Sequence, residues 1–264
     1  MSILDEIVFN KKLEVERMED FDALNQKIKD LSVAETLPPC RGFFAALADA
    51  EGPALIAELK KASPSKGIIR EDFNIYEIAQ SYQEGGAHCL SVLTDSKYFK
   101  GSYENLISVA SESDLPVLCK EFIIDPRQIA EARLAGASAI LLIAAILSDE
   151  DLIDFREIAY EYGMDVLLEV HNSEEMLRAI KLDFEIIGIN NRDLNSFDVS
   201  LDTTSKLLSK FKYDLSGRLI VSESGINSHA DILILHNMGV KAFLVGESLL
   251  RQEDIRQAVF DLLG

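Results

Sequence analysis

Two lysines and three glutamates stand at the ends of short apolar runs in this sequence. Glu58 and Lys60 end one run, Lys120 ends a second, and Glu169 and Glu223 end two more. Ammonium and carboxylate groups held close together can serve as general acid and general base, because each charge shifts the pKa of the other. These five residues are therefore the first candidates for catalysis.

Further polar residues stand at the ends of these runs and of two others, namely Thr94, Asp95, Glu121, Asn190, Asn191, Arg192 and Ser224. One charged run end is usually a solvated surface, and that alternative applies to Lys60 taken alone. Polar groups at the same end of at least five runs are harder to explain that way, because their burial is costly unless they pair or do chemistry. Alternation places Glu58 and Lys60 on one face and Lys61 on the other, so Lys60 is the better inward candidate.

The elements that must position these residues follow a repeated pattern. From Ala54 onward, runs rich in Val, Ile and Leu alternate with amphipathic segments of helical period, which is typical of βα units. Eight such units favour a closed (β/α)8 TIM barrel over a doubly wound sheet. In a barrel, the carboxyl ends of all strands meet at one mouth. The predicted strands are residues 54–60, 89–95, 116–122, 139–145, 165–170, 186–191, 219–224 and 242–247.

The residues before the first strand predict a helical extension. Residues 3–31 have helical spacing and predict one extra helix across the barrel, which Leu37-Pro38-Pro39 ends. Residues 43–50 predict a second, short helix. No change in composition marks a second domain, so residues 1–264 are predicted to be one barrel domain in which 1–50 form the N-terminal helical extension.

Two glycine-containing turns predict an anion pocket at the same mouth. Residues 223–226 read Glu-Ser-Gly-Ile and residues 245–248 read Val-Gly-Glu-Ser, after the last two predicted strands. Backbone N–H groups in such positions commonly bind phosphate. Either turn alone would be ordinary, but together they favour the pocket. Ser63 and Ser65 follow the first strand and could add hydroxyl donors.

Composition excludes several classes of protein. A net charge of −19 disfavours nucleic acid and anionic membrane surfaces as partners. Three cysteines without a CxxC pair suggest neither a disulfide framework nor a zinc site, and they fit a reducing cytoplasm. The first twenty residues lack the apolar core of a signal peptide. The four histidines lack metal-ligand spacing, which favours surface or packing roles, and Cys119 is expected to face away from Lys120 as a core thiol.

With these residues identified, the chain resembles the indole-3-glycerol phosphate synthase family over roughly its whole length. Seven motifs occur in the family's order: IAELKKASPSKG, SVLTD, KEFIID, LLEVHN, INNRDL, VSESGI and LVGESLL. The resemblance implies a (β/α)8 barrel that closes the pyrrole ring of 1-(2-carboxyphenylamino)-1-deoxyribulose 5-phosphate with loss of carbon dioxide and water. No metal or organic cofactor is implied.

The resemblance also implies roles for individual residues. Lys120 would be a general acid, Glu169 a general base, and Lys60 would hold the substrate carboxylate and deliver a proton, although the division of proton transfers between the two lysines stays open. Glu58, Asn190 and Glu223 would complete the proton network. The resemblance implies that Ser63, Gly225, Gly246, Glu247 and Ser248 bind the phosphate. Phe99, Phe122, Arg192 and Ser224 are further substrate-binding candidates, because they lie at strand ends or in loops near the mouth.

Two other functions remain open from the sequence. A related barrel enzyme such as phosphoribosylanthranilate isomerase would need an aspartate and a cysteine as acid and base, and Cys119 is the only candidate on the third strand. A non-catalytic phosphate-binding barrel is the second alternative. The expected partner is a small phosphorylated substrate derived from anthranilate, without nucleic acid or membrane, and the expected state is a monomer or weak homo-oligomer.

Overall fold

Eight parallel strands close into a barrel. The computed structural model describes residues 2–193 and 197–264. Hydrogen bonds join neighbouring strands around the whole ring, including the first barrel strand to the last, so the predicted (β/α)8 barrel is confirmed. Seven of the predicted strands run on past the observed end by one or two residues, because the chain leaves the ladder earlier than the apolar pattern indicates. The barrel strands are β1 (Ala54–Leu59), β4 (Cys89–Leu93), β5 (Val117–Lys120), β6 (Ala139–Ile143), β7 (Asp165–Val170), β8 (Ile186–Asn190), β9 (Leu219–Glu223) and β10 (Ala242–Val245).

Helices connect consecutive barrel strands, and side chains that cap their first turns fix where most of them begin. Asn74, Asp125 and Asn172 each accept hydrogen bonds from backbone N–H groups at the start of the following helix. The helices after β1 are α4 (Ile75–Gly85), α5 (Ser96–Phe99), α6 (Tyr103–Glu112), α7 (Pro126–Leu134), α8 (Asp149–Glu161), α9 (Ser173–Lys181), α10 (Asp202–Lys210), α11 (His229–Asn237), α12 (Glu247–Leu250) and α13 (Ile255–Leu263).

Alternation along the strands divides the apolar residues between two cores. Ile56, Leu118 and Leu167 belong to a cluster inside the barrel, whereas Leu55 and Cys119 belong to a larger cluster between strands and helices. Counting in steps of two from the inward residues leads to Glu58, Lys120, Glu169, Asn190 and Glu223 at the carboxyl ends. The strand pattern therefore delivers these polar side chains to one mouth.

Three helices precede β1: α1 (Ile3–Val15), α2 (Phe21–Val33) and α3 (Phe43–Ala48). The prediction of one helix over residues 3–31 is wrong, because the chain leaves the helical conformation after α1 and Asp20 caps a new helix through the N–H of Asp22. The short third helix was predicted. Phe43 and Leu47 in it are fully buried and pack on the first residues of several strands, so α3 closes the amino end of the barrel.

A small ribbon that the sequence did not predict follows β1. Strand β2 (Ala62–Ser63) pairs antiparallel with β3 (Gly67–Ile68), with Ser63 opposite Gly67. The ribbon folds the Ser-Pro-Ser-Lys-Gly segment back over the mouth.

Within the described ranges, no helix has both the length and the apolar character to cross a bilayer. The assignment of residues 1–264 to one domain stays a prediction.

Candidate active site

A cavity of about 700 Å³ opens at the carboxyl ends of the strands. All residues that the sequence nominated for catalysis or substrate binding line this one cavity, although their roles stay predictions. Strand ends supply the charged floor, loops supply the rim, and helix α1 covers one side through Ile3, Leu4 and Ile7. The nominated residues in the lining are Glu58, Lys60, Ser63, Phe99, Lys120, Phe122, Glu169, Asn190, Arg192, Glu223, Ser224, Gly225, Gly246, Glu247 and Ser248.

Lys120 lies at the centre of the floor between two carboxylates. Its Nζ atom is 2.5 Å from Oε2 of Glu223 and 3.2 Å from Oε2 of Glu169. Gly188 of β8 makes room for this group, since a Cβ atom there would lie 2.2 Å from Oε1 of Glu223. One ammonium thus binds two carboxylates that belong to different strands.

The charges of this cluster shift one another's pKa. Burial by itself lowers the pKa of Lys120, but Glu223, Glu169 and Glu58 outweigh it and raise that pKa above its usual range. Burial works against the Glu169 carboxylate, yet Lys120 and His171 bring the pKa of Glu169 below its usual range. The pKa of Glu223 rises to about 7, because burial and the Glu169 charge together exceed the attraction of Lys120. One carboxylate is therefore ionised and the other holds a proton for part of the time near neutral pH.

His171 stands behind Glu169 and lies between two carboxylates. Its Nε2 atom is 3.1 Å from Oε1 of Glu169, and its Nδ1 atom is 3.1 Å from Oε2 of Glu175. Burial lowers the pKa of His171, but the two glutamates more than reverse this and raise it to about 10. His171 is thus an imidazolium at neutral pH and a second cation for Glu169.

A second ammonium lies on β1. The Nζ atom of Lys60 forms an ion pair with Glu58, whose side chain is buried. Gly246 packs on the other side of Glu58, since a Cβ atom at residue 246 would lie 2.7 Å from Oε2 of Glu58. Lys60 keeps more exposure than its partner, with 18% of its side-chain surface accessible, and faces the cavity. Its ammonium is therefore available to an anion that enters the mouth.

The loops after β9 and β10 form a backbone-lined rim. Ser224 and Gly225 both have positive φ, of 64° and 81°, so the chain turns sharply out of β9. Ser248 Oγ donates a hydrogen bond to the Ile226 carbonyl oxygen at 3.0 Å and joins the two loops. Among the described residues, the buried Ser63 Oγ has no hydrogen-bond partner. Hydroxyl and backbone donors therefore surround this part of the cavity.

An aromatic pair forms another wall. The rings of Phe99 and Phe122 lie 5.9 Å apart at an interplanar angle of 33°. Leu93 and Ile143 line the cavity as well, as do the apolar residues of α1. The cavity thus has an apolar side that suits a planar ring and a polar side that suits an anion.

Three strand-end residues expected at the mouth, Thr94, Asp95 and Asn191, do not line the cavity. The buried Thr94 hydroxyl donates to Oε2 of Glu121 at 2.8 Å. Asp95 is fully buried and accepts a hydrogen bond from the Tyr98 N–H at 2.7 Å, so it caps α5. Asn191 faces outward and donates to Ser222 Oγ at 2.9 Å. Thr94 and Asp95 lie past the end of β4, where the chain has left the ladder. Asn191 directly follows the inward-facing Asn190, so its side chain points to the other side. Cys119 is buried on the outer side as predicted, where burial raises the pKa of its thiol.

Comparison with known proteins identifies the family. A model of the family described as indole-3-glycerol phosphate synthase matches residues 4–262. This chain belongs to the indole-3-glycerol phosphate synthase family. Proteins of that name from Rippkaea orientalis and Microcystis aeruginosa are 49% and 50% identical to it. The alignments cover 99% and 100% of this chain and 90% of each relative.

Solved structures of more distant proteins share the barrel. The tryptophan synthase α-subunit from Pyrococcus furiosus (a D110A mutant) superimposes with a TM-score of 0.61 at 16% identity, covering 80% of this chain and 98% of that one. Thiamine phosphate pyrophosphorylase from the same organism gives 0.57 at 18% identity, covering 80% and 93%. At such identities these matches describe the fold alone.

Sequence reasoning missed two parts of this synthase-family site. His171 was given a surface or packing role, although it follows Glu169 by two residues and alternation places both on one face. That spacing was a usable signal. No signal in the sequence could have revealed the contribution of Ile3, Leu4 and Ile7, because nothing in the sequence of α1 says which part of the barrel it covers.

Proposed function

We propose that this protein is an indole-3-glycerol phosphate synthase. Its substrate is 1-(2-carboxyphenylamino)-1-deoxyribulose 5-phosphate, and its products are indole-3-glycerol phosphate, carbon dioxide and water. The observation that carries the proposal is the position of Lys120 between Glu169 and Glu223, at the floor of a cavity with an aromatic wall and a donor-lined rim. Membership of the family supports the same reaction.

Ring closure needs an acid at the ketone oxygen. The ring carbon that bears the carboxylate attacks the ketone carbon, a carbon–carbon bond forms, and Lys120 donates a proton to the oxygen. The carboxylate then leaves as carbon dioxide, and the electrons of the broken bond restore the aromatic ring and neutralise the iminium nitrogen. Lys120 suits the role of acid because neighbouring carboxylates keep it protonated.

Dehydration needs an acid and a base. The hydroxyl formed in the first step leaves as water after it takes a proton, and Glu169 removes a proton from the adjacent methylene carbon, so that the double bond of the pyrrole ring forms. Lys60 or Lys120 supplies the proton to the leaving hydroxyl. Lys120 and His171 keep Glu169 ionised, which is the state that a base requires.

The two ends of the substrate fit opposite parts of the cavity. Lys60 binds the carboxylate, and Phe99 and Phe122 flank the aromatic ring. The phosphate binds Ser63 and the backbone N–H groups of 224–225 and 246–248, where α12 begins. Such a division explains why the mouth has two unlike walls. The expected absence of a cofactor, the cytoplasmic location and the monomeric or weakly associated state stay predictions.

The isomerase alternative is weaker in this chain. That reaction would require a reactive thiol at the mouth, whereas Cys119 lies outside the barrel wall with a raised pKa. A non-catalytic barrel would have no use for an ammonium bound by two buried carboxylates, which are costly to bury.

Indole fluorescence tests the proposal, and the chain has no tryptophan to interfere. Purified protein mixed with the substrate, without added metal or cofactor, should form product. We expect Lys120→Ala and Glu169→Gln each to lower kcat by about 10² to 10⁴, the usual contribution of a general acid or base. Lys61→Ala is the matched control, because Lys61 neighbours the site residues but does not line the cavity, and it should keep wild-type activity. Binding of inorganic phosphate without product formation would contradict the proposal.

A further inference from the structure

Helix α1 carries a buried ammonium, that of Lys11, which does not itself line the cavity. Lys11 is only 3% exposed, and its Nζ atom lies 2.6 Å from Glu14, 3.0 Å from Asp95 and 3.1 Å from Glu121. Burial lowers the pKa of Lys11, but Glu121 and Asp95 outweigh it and raise that pKa above its usual range. A buried charge paired with carboxylates from two different strand ends joins α1 to the barrel.

The first of these carboxylates fixes Phe99. Asp95 caps α5, and its Oδ1 atom accepts the N–H groups of Tyr98 at 2.7 Å and Phe99 at 3.3 Å, while its Oδ2 atom faces Lys11. Because α5 is a single turn, its cap determines where the Phe99 ring lies. Lys11 therefore influences the position of the Phe99 ring through its ion pair with Asp95.

The second carboxylate fixes Phe122. Oε1 of Glu121 accepts the N–H of Phe122 at 2.8 Å and lies 3.1 Å from Lys11 Nζ, and Oε2 accepts the Thr94 hydroxyl at 2.8 Å. Without the ammonium, Asp95 and Glu121 would lose the cation that binds both of them, and the pair would either repel or share a proton. Either change removes the contact that holds the segments carrying Phe99 and Phe122 at their present separation.

Other contacts between α1 and α5 point in the same direction. The Tyr98 hydroxyl donates to Glu6 Oε1 at 3.1 Å, and Lys97 Nζ donates to Asn10 Oδ1 at 3.2 Å. These bonds are exposed, whereas the Lys11 cluster is buried and contributes more to the position of the helix. Helix α1 is therefore attached to the segment that carries Phe99.

We propose that Lys11 is a positioning residue that sets the separation of Phe99 and Phe122 and so determines how well the site holds the aromatic ring of its substrate. The inference rests on the proposed function, which places that ring between the two phenylalanines. Lys11, which does not line the cavity, thereby affects the affinity of the site for the aromatic ring of the substrate. The acid and base of the reaction are not involved.

Lys11→Gln tests this role. We expect KM for the carboxyphenylamino deoxyribulose phosphate to rise about tenfold, which equals about 1.4 kcal/mol, while kcat stays within about threefold because Lys120 and Glu169 are unchanged. Anthranilate, used as a probe of the ring end, should bind about tenfold more weakly. Inorganic phosphate, used as a probe of the other end, should bind as in the wild type.

Two further variants serve as controls. Lys11→Arg keeps the charge and should restore most of the affinity, whereas Lys12→Gln removes a charge from an exposed neighbour on the same helix and should change nothing. If Lys11→Gln does not fold, Asp95→Asn keeps a good cap but weakens the ion pair, and it should raise KM with phosphate binding unchanged.

Equal loss of anthranilate and phosphate binding, or a fall in kcat with KM unchanged, would overturn the proposal. So would wild-type values for every probe. Failure of the proposed function looks different, since wild-type protein would then form no indole product at all. The anthranilate comparison between wild type and Lys11→Gln still decides the role of Lys11 in that case.

Discussion

At the scale of single residues, Glu169 and Glu223 share Lys120 but are not equivalent. His171 lies beside Glu169, whereas Oε1 of Glu223 has no hydrogen-bond partner among the residues described. The extra cation stabilises the ionised form of Glu169, and its pKa is held below its usual range, whereas burial and the Glu169 charge raise the pKa of Glu223. The protein thus prepares one carboxylate as a base by placing a second cation behind it.

Replacement of His171 tests this effect. In His171→Gln the pKa of Glu169 rises, because a cation about 3 Å away is lost. A base must be deprotonated to act, so a higher pKa means that activity is lost at a higher pH on acidification. We expect the acidic limb of the kcat/KM profile to move upward by about one pH unit, as measured by indole formation across a buffer series.

His229→Gln provides the matched control for that change. His229 lies on α11 and its ring contacts the Leu262 carbonyl oxygen rather than a carboxylate. Its pH profile should coincide with that of the wild type. A profile of His171→Gln that also coincides with the wild type would show that His171 only fills space.

At the scale of elements, strand parity explains which site residues the sequence could predict. Glu58 and Lys60 share a face, and the same step of two links Leu118 to Lys120 and Leu167 to Glu169. These positions follow from local pattern once a barrel is assumed. The partners of Lys11 and the break between α1 and α2 could not be predicted, because they depend on contacts between segments more than 80 residues apart or on one capping side chain.

Gly188 on strand β8 leaves the space that the Glu223 carboxylate occupies, and a substitution that fills this space gives a test. Gly188→Ala would place a Cβ atom 2.2 Å from Oε1 of Glu223, and the buried carboxylate that binds Lys120 would have to shift. We expect kcat to fall by about tenfold or more, because a small misplacement of catalytic groups is expensive in rate. Steady-state kinetics at constant pH measure the effect.

Gly52→Ala is the control for Gly188→Ala. Among the residues described, none other than the chain neighbours of Gly52 has a heavy atom within 4 Å of the position that a Cβ would occupy, so Gly52→Ala should leave kcat unchanged. Wild-type kinetics for Gly188→Ala would mean that the Glu223 carboxylate moves freely and that its position beside Lys120 does not matter for the reaction.

At the scale of the whole molecule, the barrel separates stability from chemistry by placing them at opposite ends. Helix α3 fills the amino end with Phe43 and Leu47, both fully buried, while the polar groups collect at the carboxyl end. Changes at the amino end should therefore affect folding and leave the reaction intact.

Phe43→Ala tests this separation. Removal of a fully buried phenylalanine should lower the free energy of unfolding by about 3–5 kcal/mol, as measured by urea denaturation. At 25 °C and without denaturant, kcat and KM of the folded protein should match those of the wild type. Phe260→Ala, at a residue that is 62% exposed, should lower the free energy of unfolding by less than about 0.5 kcal/mol.

Kinetic constants that change in Phe43→Ala while the protein stays folded would show that the two ends are coupled.

The fold class was predictable at this scale because eight repeats of one pattern leave few alternatives. How α3 closes the amino end was not, since FFAALA fixes a short helix but does not say on which residues its phenylalanines pack.

The bonding of β1 to β10 has a consequence for synthesis on the ribosome. Ala57 pairs with Val245, so the ring closes only when the last barrel strand has been made. At about 5–20 residues per second, roughly 10–40 s pass between translation of the two strands. Until then any sheet that the nascent chain forms has an unpaired edge at β1, beside Glu58 and Lys60. The charged floor of the site is therefore completed among the final steps of biogenesis, after most of the polypeptide already exists.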